Sequence, residues 1–125
     1  MFKILLLIGT GSFFGGISRF LLSKYVQNLV LSSFPFGTMA VNILGSFLIG
    51  VIYGVSQRSN MLDESLKLLL AVGFCGGFTT FSTFSQENMA LLKDGDIMYF
   101  FAYSTISVLL GVAAVIFGAW IIKVL

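Results

Sequence analysis

The sequence has no histidine, one cysteine and one proline. Without histidine, the common zinc sites and most acid–base machinery are unavailable. A single Cys75 excludes an internal disulfide and a cysteine metal cluster; inside an apolar run it reads as a small packing residue. Charge is equally scarce, at 10% of 125 residues, against roughly 25% in ordinary soluble domains. A chain this short has a large surface for its volume, and seven Lys/Arg with five Asp/Glu are too few to keep that surface wet. The basic residues Lys3, Arg19, Lys24, Arg58, Lys67, Lys93 and Lys123 are scattered, whereas attachment to nucleic acid needs them clustered, so no nucleic-acid partner is expected. What is abundant is hydrocarbon, with 58% hydrophobic residues. Lipid is the solvent that matches this composition.

A bilayer core about 30 Å thick needs roughly 20 apolar residues in a helix, and four runs qualify. They extend from Ile4 to about Gln27, from about Pro35 to Ser56, from Leu68 to Gln86 with a continuation to Leu92, and from Ile97 to Ile122. Short polar connections separate them. Ser32-Ser33-Phe34-Pro35 opens the second span with proline near its first turn. Gln57-Arg58-Ser59-Asn60 ends that span, and Met61-Leu62-Asp63-Glu64 opens the third with carboxylates at the positive end of the helix dipole. Lys93-Asp94-Gly95-Asp96 is the last turn. No linker divides residues 1–125, so one four-helix transmembrane domain is expected. Met1-Phe2-Lys3 followed by Ile4-Leu5-Leu6-Leu7-Ile8-Gly9 has the flavour of a secretory signal, but the apolar stretch continues and three more spans follow, so a retained span is expected. Trp120, Tyr25 and Tyr99 sit near span ends as interfacial anchors.

Lys and Arg normally collect on the cytoplasmic side. With the N-terminus inside, that side holds Lys3, Arg58, Lys67 and Lys123, against Lys24, Lys93 and the nearby Arg19. So small a bias fits either a chain inserted in both orientations or a small protein with few charges to distribute.

The third span carries the most unusual stretch, Gly73-Phe74-Cys75-Gly76-Gly77-Phe78-Thr79-Thr80-Phe81-Ser82-Thr83-Phe84-Ser85. Two readings stand. The helix breaks there and bares backbone oxygens, which is allowed at membrane depth only where protein or a watery cavity satisfies them. Alternatively it stays continuous and packs closely through Gly73-x-x-x-Gly77. Phe81 and Phe84 share a face among hydroxyls; phenyl rings have a positive edge that can touch an anion. Asn42, in the second span, either bridges helices or aims N–H donors into a pore. Arg19 is either a snorkelling terminal arginine or a charge lining a watery mouth. Tyr103 and Ser107, four apart in the fourth span, share a face. Glu87, toward the end of the third span, is a weak candidate for a proton-carrying carboxylate. Gly9-Thr10-Gly11-Ser12-Phe13-Phe14-Gly15-Gly16 lacks the Lys-Ser/Thr ending of a phosphate loop and reads as helix packing.

The stretch from Gly73 to Phe84 resembles the signature of the Fluc (CrcB) fluoride channels. So do the Gly-Gly-x-x-Arg-aromatic element from Gly15 to Phe20 and the Gly-Thr-x-x-Val-Asn element from Gly37 to Asn42. Length, four spans and motif order fit over essentially the whole chain. The third-span signature is specific; the other two elements are weak alone. The resemblance implies an all-α integral membrane fold with the third of four helices broken near its middle, in a homodimer of two oppositely oriented chains with two fluoride pores. It implies a structural sodium ion (Na+) at the dimer interface, held by backbone carbonyls of Gly76 and Thr79. It implies that Phe81 and Phe84 face fluoride with ring edges and that Asn42 supplies an amide donor. Thr38, Thr83, Tyr103 and Ser107 would be polar pore neighbours, and Arg19 would stand in the vestibule. The function implied is passive export of cytoplasmic fluoride through a prokaryotic cell (plasma or inner) membrane, with no catalysis.

The main rival is a small four-helix, dual-topology multidrug exporter driven by protons. That class needs a carboxylate in the first span, which has none. A structural membrane subunit and a membrane enzyme are further rivals, the enzyme lacking a catalytic constellation.

Overall fold

The computed structural model describes residues 1–59 and 62–125. Asn60 and Met61, assigned above to the end of the second span and the start of the third, lie outside the described residues. Helix α1 spans Phe2–Leu29 and α2 spans Phe36–Arg58. The third span, Glu64–Lys93, is composite. A short helix α3 (Glu64–Lys67) runs into a π-helical stretch (Leu68–Cys75), then into α4 (Gly76–Phe78), and after an interruption into α5 (Phe81–Lys93). Helix α6 covers Ile97–Val124.

All four spans are long and apolar enough to cross a membrane, and their apolar windows are only 6–28% buried within the chain. Large apolar side chains such as Phe13, Leu109 and Ile116 face outward. A soluble fold buries such residues; this one offers them to acyl chains. It is a multi-pass membrane protein, as composition implied.

The span ends obey local rules. The third helix starts at Glu64, earlier than the charge-free run, because Asp63 caps it: its carboxylate accepts from the Leu66 N–H at 2.8 Å. Pro35 stands just outside α2 as its N-cap. The α1–α2 connection is held by Gln27, which donates to the carbonyls of Ser32 and Phe34 at 3.1 Å each and accepts from the Gly37 N–H at 2.9 Å. The last turn reverses at Gly95, whose φ of +81° favours glycine. There Asp96 N–H reaches the Leu91 carbonyl at 2.8 Å and Gly95 N–H the Leu92 carbonyl at 3.2 Å, a Schellman ending.

Helix α2 pairs with α6, and α1 with the π-helical stretch. Both pairs approach without intervening Cβ atoms. A Cβ on Gly50 would collide with the Val115 carbonyl, and one on Gly118 with the Phe47 carbonyl. A Cβ on Gly73 would sit 3.0 Å from the Ile8 carbonyl oxygen. The small buried core of Phe34, Leu91 and Tyr103, with Phe36, Met39, Phe84, Phe100 and Ala102 against it, lies at one end of the molecule.

Candidate functional site

The third span is interrupted at Thr79 and Thr80. Their backbones are extended, at φ −93°, ψ 155° and φ −149°, ψ 123°. The glycines before them stay helical. Of the two readings left open in the sequence, the break is the one the structure has; the continuous helix is not, although the close packing expected of it through Gly73 and Gly77 is present. Gly73 and Gly77 pack against α1, and the chain then unwinds at the threonines.

Backbone groups freed at membrane depth must find partners, and side chains from α1 and α2 supply them. The Asn42 amide lies against Thr80 like a strand neighbour. Its Oδ1 accepts from the Thr80 N–H at 2.8 Å, and its Nδ2 donates to the Thr80 carbonyl at 3.1 Å. Arg19 Nε donates to the Gly77 carbonyl at 3.2 Å, and Ser12 Oγ to the Gly73 carbonyl at 3.3 Å. Thr79 Oγ1 donates to the Cys75 carbonyl at 2.9 Å. Helix α5 restarts with Thr80 as N-cap, its hydroxyl accepting from the Thr83 N–H at 3.2 Å.

These bonds have a consequence for two carbonyls. In an unbroken helix the carbonyls of Gly76 and Thr79 would accept from the amides of Thr80 and Thr83. Both amides are engaged elsewhere, with Asn42 Oδ1 and Thr80 Oγ1. Neutral carbonyl oxygens released in this way suit a hard monovalent cation, and they belong to the two residues implied for sodium.

A crevice of about 340 Å³ opens beside the interruption, lined among others by Asn42, Ser46, Thr79, Phe81, Phe84 and Ser107. The rings of Phe81 and Phe84 are 5.8 Å apart and tilted by 39°. Phe81 is 78% exposed, so it contributes little to the core of this chain. Among the described residues, Ser107 Oγ is the one buried side-chain polar atom without a hydrogen-bond partner. Ser107 is one of the crevice residues, and an orphan buried hydroxyl has hydrogen-bonding capacity to spare.

A second cavity of about 510 Å³ lies toward the loop end, lined among others by Arg19, Lys24, Gln27, Thr38, Thr83 and Glu87. The residues expected to form one pore thus fall into two cavities, with Asn42, Phe81, Phe84 and Ser107 in the crevice and Arg19, Thr38 and Thr83 in the outer mouth. Tyr103 lines neither. It is fully buried, packs on Phe84 at 4.9 Å between ring centroids, and donates its hydroxyl to Glu87 Oε1 at 2.9 Å. Thr38 Oγ1 donates to Glu87 Oε2 at 2.9 Å.

Sequence reasoning missed the two hydrogen bonds that Glu87 accepts. Counted from the start of the third span it sits near the end. Counted from the restart at Phe81 it is in the middle of α5 (Phe81–Lys93). The available signal was its spacing, three residues after Phe84 on a shared face.

The fold and its crevice define a small multi-pass membrane protein built around a helix interrupted inside the bilayer. The chain matches the family described as CrcB-like protein, Camphor Resistance (CrcB), over residues 6–119, and it belongs to that family. It is similar to the Fluoride-specific ion channel FluC of Leptospira interrogans, with 49% identity over 121 residues, covering 97% of this chain and 95% of the relative. It is 46% identical over 122 residues to the protein of that name from Chlorobium phaeobacteroides, covering 98% and 94%, and 45% identical over 122 residues to that from Bacteroides fragilis, covering 95% of each. These bacterial relatives are named as ion channels, not as enzymes.

Proposed function

We propose that the protein is a fluoride-selective passive channel that lets cytoplasmic fluoride leave the cell. It works as a homodimer of two oppositely oriented chains, with two pores and a structural sodium ion at the interface. The supporting observation is a coincidence of site and kinship. Asn42, Phe81, Phe84 and Ser107 gather at one crevice, in a chain 49% identical over 97% of its length to a named fluoride-specific channel.

Fluoride is small and strongly hydrated, so a pore must replace part of its shell without holding the ion too tightly. The Ser107 hydroxyl has no competing partner among the described residues. Asn42 keeps one Nδ2 proton beyond the one given to Thr80. Phe81 and Phe84 add ring edges, which attract an anion more weakly than a full positive charge does. Arg19 and Lys24 in the outer mouth raise the local concentration of anions. Neutral HF crosses lipid from an acidic exterior and ionises at cytoplasmic pH; the channel returns the anion down its gradient.

A second copy is needed on physical grounds. Four helices leave little room for both a pore and the burial of a broken helix. Phe81 is 78% exposed beside the break, where a partner would shield it. The carbonyls of Gly76 and Thr79 are the ones that would hold sodium, whose charge would pin the two interruptions together. A proton-driven exporter remains the poorer reading, because the first span carries no carboxylate.

The test is anion efflux from liposomes containing the purified protein, with chloride as control. Fluoride should leave while chloride stays. Equal release of both, or of neither, overturns the assignment. Omitting sodium throughout purification should shift the dimer toward monomer on size exclusion; an unaltered profile removes the sodium from the proposal.

A further inference from the structure

A cavity of about 630 Å³ lies between the ends of α2 and α6, lined by Tyr53, Gly54, Gln57, Arg58, Ala119, Trp120 and Lys123. It is remote from the break. Trp120 follows Ser107 by 13 positions on α6, or about 20 Å at the helical rise. Gly54 forms the floor, where a Cβ would lie 2.9 Å from Ile122 Cβ and 3.1 Å from the Ala119 carbonyl oxygen.

The chemistry of the lining is one-sided. Among the described residues, its ionisable head groups other than the Tyr53 phenol are Arg58 and Lys123, both basic, and no carboxylate side chain lines it. The Arg58 guanidinium is fixed in place, donating from one terminal nitrogen to the Ile122 carbonyl at 2.6 Å and from the other to a main-chain oxygen of Leu125, the last residue of the sequence, at 2.7 Å. Those bonds use two of its five N–H donors and leave three. Lys123 brings an ammonium and Gln57 an amide. The remaining large surfaces are the rings of Tyr53 and Trp120, which are 59% and 53% exposed. A pre-positioned guanidinium with an ammonium beside it suits phosphate oxygens. Aromatic rings at a span end suit the glycerol and upper acyl region of a lipid.

We propose that this cavity binds the phosphodiester headgroup of an anionic phospholipid. A basic pocket between transmembrane helices selects anionic headgroups by charge. A choline headgroup would instead bring its own cation against Arg58 and Lys123. The proposal stands independently of the fluoride reading.

Trp120 is the only tryptophan in the chain, so its fluorescence reports on this cavity alone. The full chain is reconstituted in phosphatidylcholine vesicles containing rising fractions of either dibrominated phosphatidylglycerol or dibrominated phosphatidylcholine, whose bromines quench tryptophan. Both lipids reach the general annulus, so a difference between them isolates the headgroup. The brominated phosphatidylglycerol should half-quench Trp120 at a mole fraction about fivefold lower or less, the effect expected of even one basic residue at the membrane surface. The Arg58→Gln/Lys123→Gln double variant should bring the two curves together while fluoride efflux is retained. Lys123→Gln alone, which leaves both Arg58 bonds intact, should narrow the gap and serves if the double variant does not fold. Millimolar inorganic phosphate should leave the quenching unchanged. Superimposed curves for the native chain overturn the proposal, as does recovery of fluorescence on adding phosphate, which would assign the site to a soluble anion.

Discussion

Replacing Asn42 by leucine tests the central structural claim, that a side-chain amide holds the interruption of the third span open. Leucine keeps a similar volume and removes both polar atoms. The Thr80 N–H and carbonyl then lose partners now at 2.8 and 3.1 Å. A neutral hydrogen bond contributes about 0.5–1.5 kcal/mol net, so two contribute about 1–3 kcal/mol. Asn42 is half-buried and lines an open crevice, so water can reach part of the vacancy, which argues for the lower half of that range. The equilibrium between folded and unfolded protein should therefore shift toward unfolding by roughly 5- to 30-fold. Reversible unfolding in mixed micelles of mild detergent and dodecyl sulfate, followed by circular dichroism, measures it. Fluoride efflux should fall as well, because the same amide offers its spare proton to the crevice. A variant as stable as the native chain would refute the splint, since Thr80 would then be satisfied without Asn42. A stability loss with full efflux would confine Asn42 to that structural task.

Phe81→Ile should reduce fluoride efflux while the protein remains folded and monodisperse, because the ring is 78% exposed within the chain; unchanged flux would count against the ring-edge role. Ser107→Ala removes a buried hydroxyl that has no partner, so stability should stay within about 0.5 kcal/mol of native or rise, while efflux falls. A marked loss of stability would mean that the hydroxyl is bonded within the fold. Gly50→Ala drives a Cβ into the Val115 carbonyl and should cost about 1–3 kcal/mol by overpacking. Gly9→Ala, with nothing within 4 Å of its new Cβ, should be neutral or stabilising by about 0.5–1 kcal/mol; equal effects in detergent unfolding would discredit the α2–α6 approach. Thr80→Ala should cost about 1 kcal/mol through the lost cap to Thr83, with Thr80→Ser restoring it in the same assay.

The membrane class and the four spans were legible from hydropathy alone, because lipid requires long unbroken apolar runs and the chain supplies four. The span ends moved by a few residues where caps decide them, as at Asp63. The odd stretch of the third span was visible, but its outcome was posed as a choice between packing glycines and a break. Periodicity could not show that the two occupy successive positions. Pairings that cross spans were beyond reach: Asn42 with Thr80, Arg19 with Gly77, and Glu87 with both Thr38 and Tyr103. Each depends on how α1, α2 and α6 sit against the third span, which a sequence states only through composition. The grouping of Asn42, Phe81, Phe84 and Ser107 came from resemblance, and the crevice brings those four residues together. Glu87 was a weak candidate because it lies toward the end of the third span, as it does in the span Glu64–Lys93; its bonds with Thr38 and Tyr103 themselves gave no sign in the sequence.

The location of the interruption follows from its partners more than from local propensity. Glycine disfavours helix interiors, yet Gly73, Gly76 and Gly77 stay helical and the chain unwinds at two β-branched threonines. The glycines let α1 come close enough for Ser12 and Arg19 to reach the carbonyls of Gly73 and Gly77, so this segment keeps its polar groups satisfied. At Thr80 the nearest offer comes from the other side, from the Asn42 amide on α2, and it can be accepted only by an extended backbone that presents its N–H and carbonyl together. Thr80 then caps the next helix with its own hydroxyl. Each donor diverted in this exchange frees an acceptor one turn earlier, which is how the carbonyls of Gly76 and Thr79 lose their helical partners. A polar side chain on one helix thus decides where a neighbouring helix bares its oxygens. Moving that amide by a turn, as in an Asn42→Ala/Ser46→Asn double substitution, should fail to restore the native break, because Thr80 would have no partner at the height where α4 ends.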